Sequence, residues 1–87
     1  MKYTVEISFK VRKYLKKLNP LLRVRLIRYI DSLEDFSNLN LDIKKLKWEK
    51  KEIYRLRVGK YRIIFEKQDD KLIILVMDIG SRGDIYK

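Results

Sequence analysis

The sequence predicts an α+β domain in which an N-terminal strand and a helical hairpin precede an antiparallel sheet, in the order βααβββ. Three observations predict it. Apolar residues alternate with period two near the N-terminus, recur at helical spacing from Val11 to Leu33, and return to alternation from Ile53 onward. No internal repeat or low-complexity segment interrupts the 87 residues, so residues 1–87 are read as one domain.

Each element has its own warrant. Tyr3, Val5 and Ile7 alternate with Thr4 and Glu6, giving a strand over residues 3–7 with one buried face. From Ser8, a candidate N-cap, the period changes: Val11, Tyr14, Leu15 and Leu18 share one helical face, and Arg12, Lys13, Lys16 and Lys17 lie on others. Asn19-Pro20 closes this helix and opens the next, because Asn caps well and Pro is tolerated in a first turn; Leu22, Leu26, Ile30 and Leu33 mark the second apolar stripe. Residues 35–42 break both periodicities and are read as a loop leading into residues 43–46.

In the second half, Tyr54, Leu56 and Val58 face one way, and Ile53, Arg55 and Arg57 the other. Gly59-Lys60 makes a tight turn into a strand over residues 61–67, with Tyr61, Ile63 and Phe65 opposite Arg62, Ile64 and Glu66. Residues 68–71 form the next turn, and the nearly uniform apolar run 72–79 is expected to be a central strand covered on both sides. Tyr3, Tyr14, Tyr29, Tyr54 and Tyr61 follow these apolar patterns and are read as packing residues.

Composition removes several chemistries. The chain has no Cys and no His, so disulfides, thiolate or imidazole metal sites, cysteine nucleophiles and the usual neutral-pH base are absent. Any catalysis rests on Arg, Lys, Tyr, Ser or carboxylates. The longest apolar run, residues 72–77, stops at Asp78, well short of the ~20 residues of a spanning helix. Glu6 stands where a signal peptide would place its apolar region, so a soluble, cytoplasmic protein without a membrane partner is expected.

The formal net charge is +10. Between Lys44 and Arg62 there are nine basic residues and two acidic ones, which points to a polyanion as partner. Arg55 and Arg57 share a strand face, and Arg62 joins them if the hairpin register follows the apolar pattern. Three converging guanidiniums repel one another, which favours a phosphate-bearing ligand as their reason. The alternative is a plain solvated surface, or the charged composition of a protein from a hot-growing host. Residues 10–28 are also basic with no acid among them, so the field could be diffuse.

RNA carries its own nucleophile, the 2′-OH. A protein can cleave it by aligning that oxygen with phosphorus, taking one proton, stabilising a phosphorane-like state and protonating the leaving 5′ oxygen. Neither metal nor His is required. Arginine suits the electrostatic part, since its fork contacts two phosphate oxygens and loss of one preorganised donor costs ~10²–10³ in rate. A tyrosine can serve as base where neighbouring cations stabilise its phenolate, and Tyr86, four residues from Arg82, is a candidate. Competing motifs are weaker. Glu66 and Asp69-Asp70 read as a solvated hairpin tip rather than a magnesium site; Gly80 to Gly83 lacks the glycines and helix of a phosphate loop; and Ser81 has no His. Trp48 could stack on a base, weighed against a core-edge or interface role. No metal and no cofactor are expected.

The run Tyr54-Arg55-Leu56-Arg57-Val58-Gly59-Lys60-Tyr61-Arg62, followed by an apolar strand and Gly80-Ser81-Arg82-Gly83-Asp84-Ile85-Tyr86, resembles the RelE/ParE superfamily of toxins from type II toxin–antitoxin systems, closest to its RelE-like branch. The resemblance implies a RelE-like microbial ribonuclease-type fold, with a helical hairpin against a twisted antiparallel sheet. It also implies an mRNA interferase that enters the ribosomal A site and cuts the messenger there, and a cognate acidic antitoxin that wraps and blocks it, possible as a toxin–antitoxin heterotetramer. Carried over by position, Arg62 corresponds to the arginine that stabilises the reacting phosphate, Arg82 to the arginine that assists the leaving group, and Tyr86 to the base. Arg55 matches a basic position of the preceding strand, and Arg57, Lys45, Lys47 and Lys60 are the RNA-binding candidates. Ile53 stands where some RelE-like enzymes carry a second catalytic lysine, Ser81 where many have His or Lys, and Gly83 where many have another basic residue.

Three functions fit these residues. One is a ribosome-dependent endoribonuclease using Arg55, Arg62, Arg82 and Tyr86. Another is a ParE-like inhibitor of DNA gyrase, which shares the fold without needing that set. The third is a non-catalytic ribosome- or RNA-binding domain. A basic concave site also suits an acidic segment that folds on binding and supplies carboxylates to the arginines.

Overall fold

The structure, a computed structural model, describes residues 2–37 and 40–81. Strand β1 (Thr4–Ile7) leads into helix α1 (Phe9–Lys16) at Ser8. The Ser8 hydroxyl accepts from the Val11 N–H at 3.3 Å and donates to the Met77 carbonyl at 3.4 Å, so the expected N-cap also ties the helix start to the sheet. Helix α2 (Pro20–Asp31) starts at Asn19, whose Oδ1 accepts from the Leu21 N–H at 2.8 Å. A 3₁₀ turn (Ser32–Glu34) then carries Leu33 into the core.

Four strands follow: β2 (Asp42–Lys45), β3 (Ile53–Val58), β4 (Tyr61–Gln68) and β5 (Ile73–Ser81). They join β1 in one sheet of order β1-β5-β4-β3-β2. Two features differ from the expected βααβββ antiparallel arrangement. β2 adds a strand: Ile43 is its one apolar residue, and an edge position tolerates the remaining charges. β1 pairs parallel with β5, and the other pairings are antiparallel, so the sheet is mixed. The apolar run expected at the centre is instead the inner neighbour of β1, and β4 takes the central place. Leu72 stays outside β5, in the turn, with φ 54°.

The helices cover one face of the sheet. Val11, Leu15, Leu26, Ile30 and Leu33 are buried there against Leu56, Ile63, Phe65, Ile74, Val76 and Ile79. Removing such side chains from water contributes about 1.5–3 kcal/mol each. Phe36 lies edge-on to Tyr54 at 4.9 Å and to Phe65 at 6.1 Å between ring centroids. All five tyrosines read as packing residues lie in or against this core.

Two local devices decide what reaches the opposite face. Val58 pairs with Tyr61 across Gly59-Lys60, and Gly59 has φ +58° at the first central position, the pattern of a II′ hairpin turn. Between β4 and β5 the register shifts: Ile64 faces Asp78, but Phe65 faces Val76, leaving Met77 as an extra residue. Val76 and Ile79 are three apart, so strict alternation would put them on opposite faces. The bulge lets both enter the core and sets Gly80 opposite Arg62.

Candidate functional site

The alternation of β3 and β4 places Ile53, Arg55, Arg57, Arg62 and Ile64 on the face turned away from the helices, as the apolar pattern requires. The two-residue turn fixes the register so that Arg57 lies directly opposite Arg62. On the other flank of Arg62 its strand partner is Gly80, which is buried and brings no side chain of its own. Arg57, Gly59, Lys60 and Arg62 thus line a hollow of about 390 Å³. Like charges directly opposite each other on paired strands destabilise a sheet by roughly 0.2–1 kcal/mol. Among the described residues Arg57 has no carboxylate partner, and it is exposed. Lys60 extends from the turn with its Nζ 5.7 Å from the Tyr61 ring centroid. A phosphate in this hollow would meet two forked donors and an ammonium.

Arg55 has a different environment from the three-guanidinium cluster the sequence suggested. It is only 9% exposed, and its Nη2 donates to Asp42 Oδ1 at 3.2 Å. The register explains the pair: Asp42 faces Arg57 and Lys44 faces Arg55, so Asp42 reaches Arg55 along the diagonal. Among the described residues the buried Arg55 Nε has no hydrogen-bond partner. Arg55 therefore spends its charge on β2, and the hollow is lined by Arg57 and Arg62 without it.

The other basic candidates lie at the opposite end of β3. Lys45 and Lys47, with Trp48, Lys50 and Lys51, line a second hollow of about 620 Å³ in the β2–β3 loop. Lys45 is ion-paired with Glu52 at 3.6 Å. Trp48 is 59% exposed and so lies outside the core. At the β4–β5 turn, Asp69 accepts the Tyr3 hydroxyl at 2.5 Å and pairs with Lys67 at 3.3 Å, which makes the acidic tip part of a structural clasp. Among the described residues no group of three or more His, Cys, Asp or Glu side chains is placed to hold a metal ion. Ser81 ends β5 opposite Tyr61, whereas Arg82, Gly83 and Tyr86 lie outside the described residues.

Sequence reasoning missed Asp42 as the partner of Arg55 and Gly80 as the strand partner of Arg62. A signal existed for the second in the odd spacing of Val76 and Ile79. The first depends on a strand pairing that no local pattern discloses.

A mixed five-stranded sheet, with a helical hairpin on one face and a basic hairpin on the other, defines the class as a RelE-type toxin fold. The chain superposes with a TM-score of 0.81 on a chain from the crystal structure of the archaeal RelE–RelB complex from Pyrococcus horikoshii OT3, at 29% identity and covering 97% of this chain and 99% of that one. It is 36% identical to a candidate toxin of Methanocaldococcus jannaschii named RelE1, covering all of this chain and 98% of that protein. It is 27% identical to toxin RelG of Mycobacterium tuberculosis, covering all of this chain and 99% of that protein. The family model described as the ParE toxin of type II toxin–antitoxin systems matches residues 5–86, and the chain belongs to this family of the RelE/ParE superfamily.

Proposed function

We propose that this toxin is a ribosome-dependent endoribonuclease that cuts messenger RNA in the A site, independently of metal. The observation that carries this reading is the Arg57–Arg62 pair facing across the β3–β4 hairpin, in a hollow completed by Lys60. In the reaction the substrate's 2′ oxygen forms a bond to phosphorus as the bond from phosphorus to the 5′ oxygen breaks. One proton leaves the 2′-OH and another reaches the 5′ oxygen. Arg62 stabilises the charge that develops on the non-bridging oxygens, and Arg57 and Lys60 hold the strand. Arg82 and Tyr86 take the leaving-group and base roles that the family resemblance gives them. Arg55, held by Asp42, positions the strand that bears Arg57.

The toxin acts in the cytoplasm and is neutralised by an acidic antitoxin whose carboxylates pair with these arginines, in a toxin–antitoxin heterotetramer. Support comes from the RelE–RelB complex on which the fold superposes and from the +10 charge. Among the described residues no helix is long and apolar enough to cross a membrane. A second reading, inhibition of DNA gyrase, is favoured by the match to the ParE toxin family over residues 5–86.

Induced expression followed by mapping of messenger 5′ ends separates the two. Wild type is expected to give new cuts at translated codons, and an equally soluble Arg62→Ala/Arg82→Ala variant none, with each lost donor costing ~10²–10³ in rate. Growth arrest without cuts, together with inhibition of purified gyrase, would replace the nuclease reading with the gyrase one.

A further inference from the structure

Three features of the β2–β3 loop have no role in the hollow at Arg57 and Arg62. Trp48, the chain's single tryptophan, is 59% exposed. Among the described residues it makes no ring stacking and no hydrogen bond. Around it Lys45, Lys47, Lys50 and Lys51 line a hollow of about 620 Å³. Lys45 is occupied by Glu52 at 3.6 Å, and Lys47, Lys50 and Lys51 have no ion-pair partner among the described residues. Lys50 is held at φ 60°, a left-handed conformation that non-glycine residues rarely adopt.

An indole in water next to a protein surface is an apolar face without a partner, and three unpaired ammonium groups beside it are phosphate contacts without a phosphate. One ligand chemistry satisfies both: a single-stranded nucleic acid, whose base stacks on the ring while the flanking phosphates meet the lysines. We propose that Trp48 is a base-stacking platform for single-stranded RNA, with Lys47, Lys50 and Lys51 as its phosphate contacts. This deepens the nuclease reading and rests on it for the identity of the strand as messenger. Four residues of β3, 53–56, separate the loop from Arg57, on the order of 15 Å of strand, so the platform grips the strand at a distance from the reacting phosphate.

A protein partner fits this loop less well. The core of a protein interface is depleted in charged residues, and here Trp48 and Leu46 are the only apolar residues lining the hollow, the rest being charged side chains with apolar stems. The other large exposed apolar residues, Phe9, Leu21 and Val24, are on the helices.

The single tryptophan makes the test direct, because intrinsic fluorescence reports this loop alone. The full chain is titrated with a labelled adenine 12-mer RNA, an abasic 12-mer of equal charge, and polyglutamate, following both tryptophan emission and probe anisotropy. The RNA is expected to quench Trp48 and to bind more tightly than the abasic strand. Trp48→Ala should weaken RNA binding roughly 5- to 100-fold, and Trp48→Phe should recover most of it. Unchanged far-UV circular dichroism and melting confirm that each variant is folded. Equal binding of RNA and abasic strand, an unaffected Trp48→Ala, or quenching by polyglutamate alone would overturn the proposal. Failure of the nuclease reading shows separately, as Trp48 quenching by RNA in a protein that yields no messenger cuts in cells.

Discussion

Tyr3 ties the start of β1 to the β4–β5 turn through one hydroxyl. It donates to Asp69 at 2.5 Å, and Lys67 completes the cluster with its Nζ 3.3 Å from the same carboxylate and 5.8 Å from the Tyr3 ring centroid. The hydrogen bond from Tyr3 holds the Asp69 carboxyl below its ordinary range, with Lys67 adding to the effect, and the same bond to Asp69 raises the Tyr3 phenol. The signs give opposite limbs. A depressed carboxylate contributes stability above its unfolded value, near pH 4, and loses it as the pH falls through the lower folded value. A raised phenol contributes stability below its unfolded value, near pH 10, and loses it as the pH rises through the higher folded value. Tyr3→Phe removes the shared bond, so the melting temperature of the variant, followed from pH 2 to 11, should fall less steeply than wild type at both ends. Parallel wild-type and variant curves would show the clasp to be energetically silent.

At the scale of elements, the edge strand β2 depends on a side chain of its neighbour. β2 has one apolar residue, Ile43, and its Asp42 is the partner of the buried Arg55 guanidinium. Asp42→Ala leaves that cation with Nε and Nη2 both lacking a hydrogen-bond acceptor among the described residues. The Asp42 side chain is 56% exposed, and solvent screening discounts the pair, so the expected loss is about 1–2 kcal/mol by urea denaturation. A change under about 0.5 kcal/mol would mark it as an ordinary surface pair. The same strand shows where the sequence stops being readable. The alternation in residues 53–67 disclosed both faces of the hairpin and, through the short turn, the Arg57–Arg62 juxtaposition. Asp42-Ile43-Lys44-Lys45 has no such alternation of apolar residues, because an edge strand draws its identity from pairing with β3. Since β2 was hidden, so was the burial of Arg55. The parallel pairing of β1 was hidden for a related reason: alternation reports a buried face and is silent on the direction of the neighbour. The continuous apolar character of residues 72–77 blurred the alternation, leaving the odd spacing of Val76 and Ile79 as the one hint of the bulge at Met77 that sets Gly80 opposite Arg62.

Over the whole molecule, 22 basic and 12 acidic residues share 87 positions, and the folded chain gathers part of the excess into two hollows at opposite ends of β3. Concentrating like charge works against the compact state, and an anion that binds only the folded form offsets it by mass action. Inorganic phosphate is the simplest such anion. At ten times its dissociation constant, a single site raises the stability of the folded form by about 1.4 kcal/mol. In a domain of this size that corresponds to a melting-temperature rise of about 6–11 °C. Phosphate should therefore stabilise the protein more than chloride does at equal ionic strength, where general screening is matched. The excess should shrink in Arg62→Ala, which removes one fork of the first hollow, and persist in Trp48→Ala, because a ring offers an inorganic anion nothing to stack on. If phosphate and chloride raise the melting temperature equally in wild type, the charge acts as a diffuse field and the Arg57–Arg62 hollow holds no phosphate of its own.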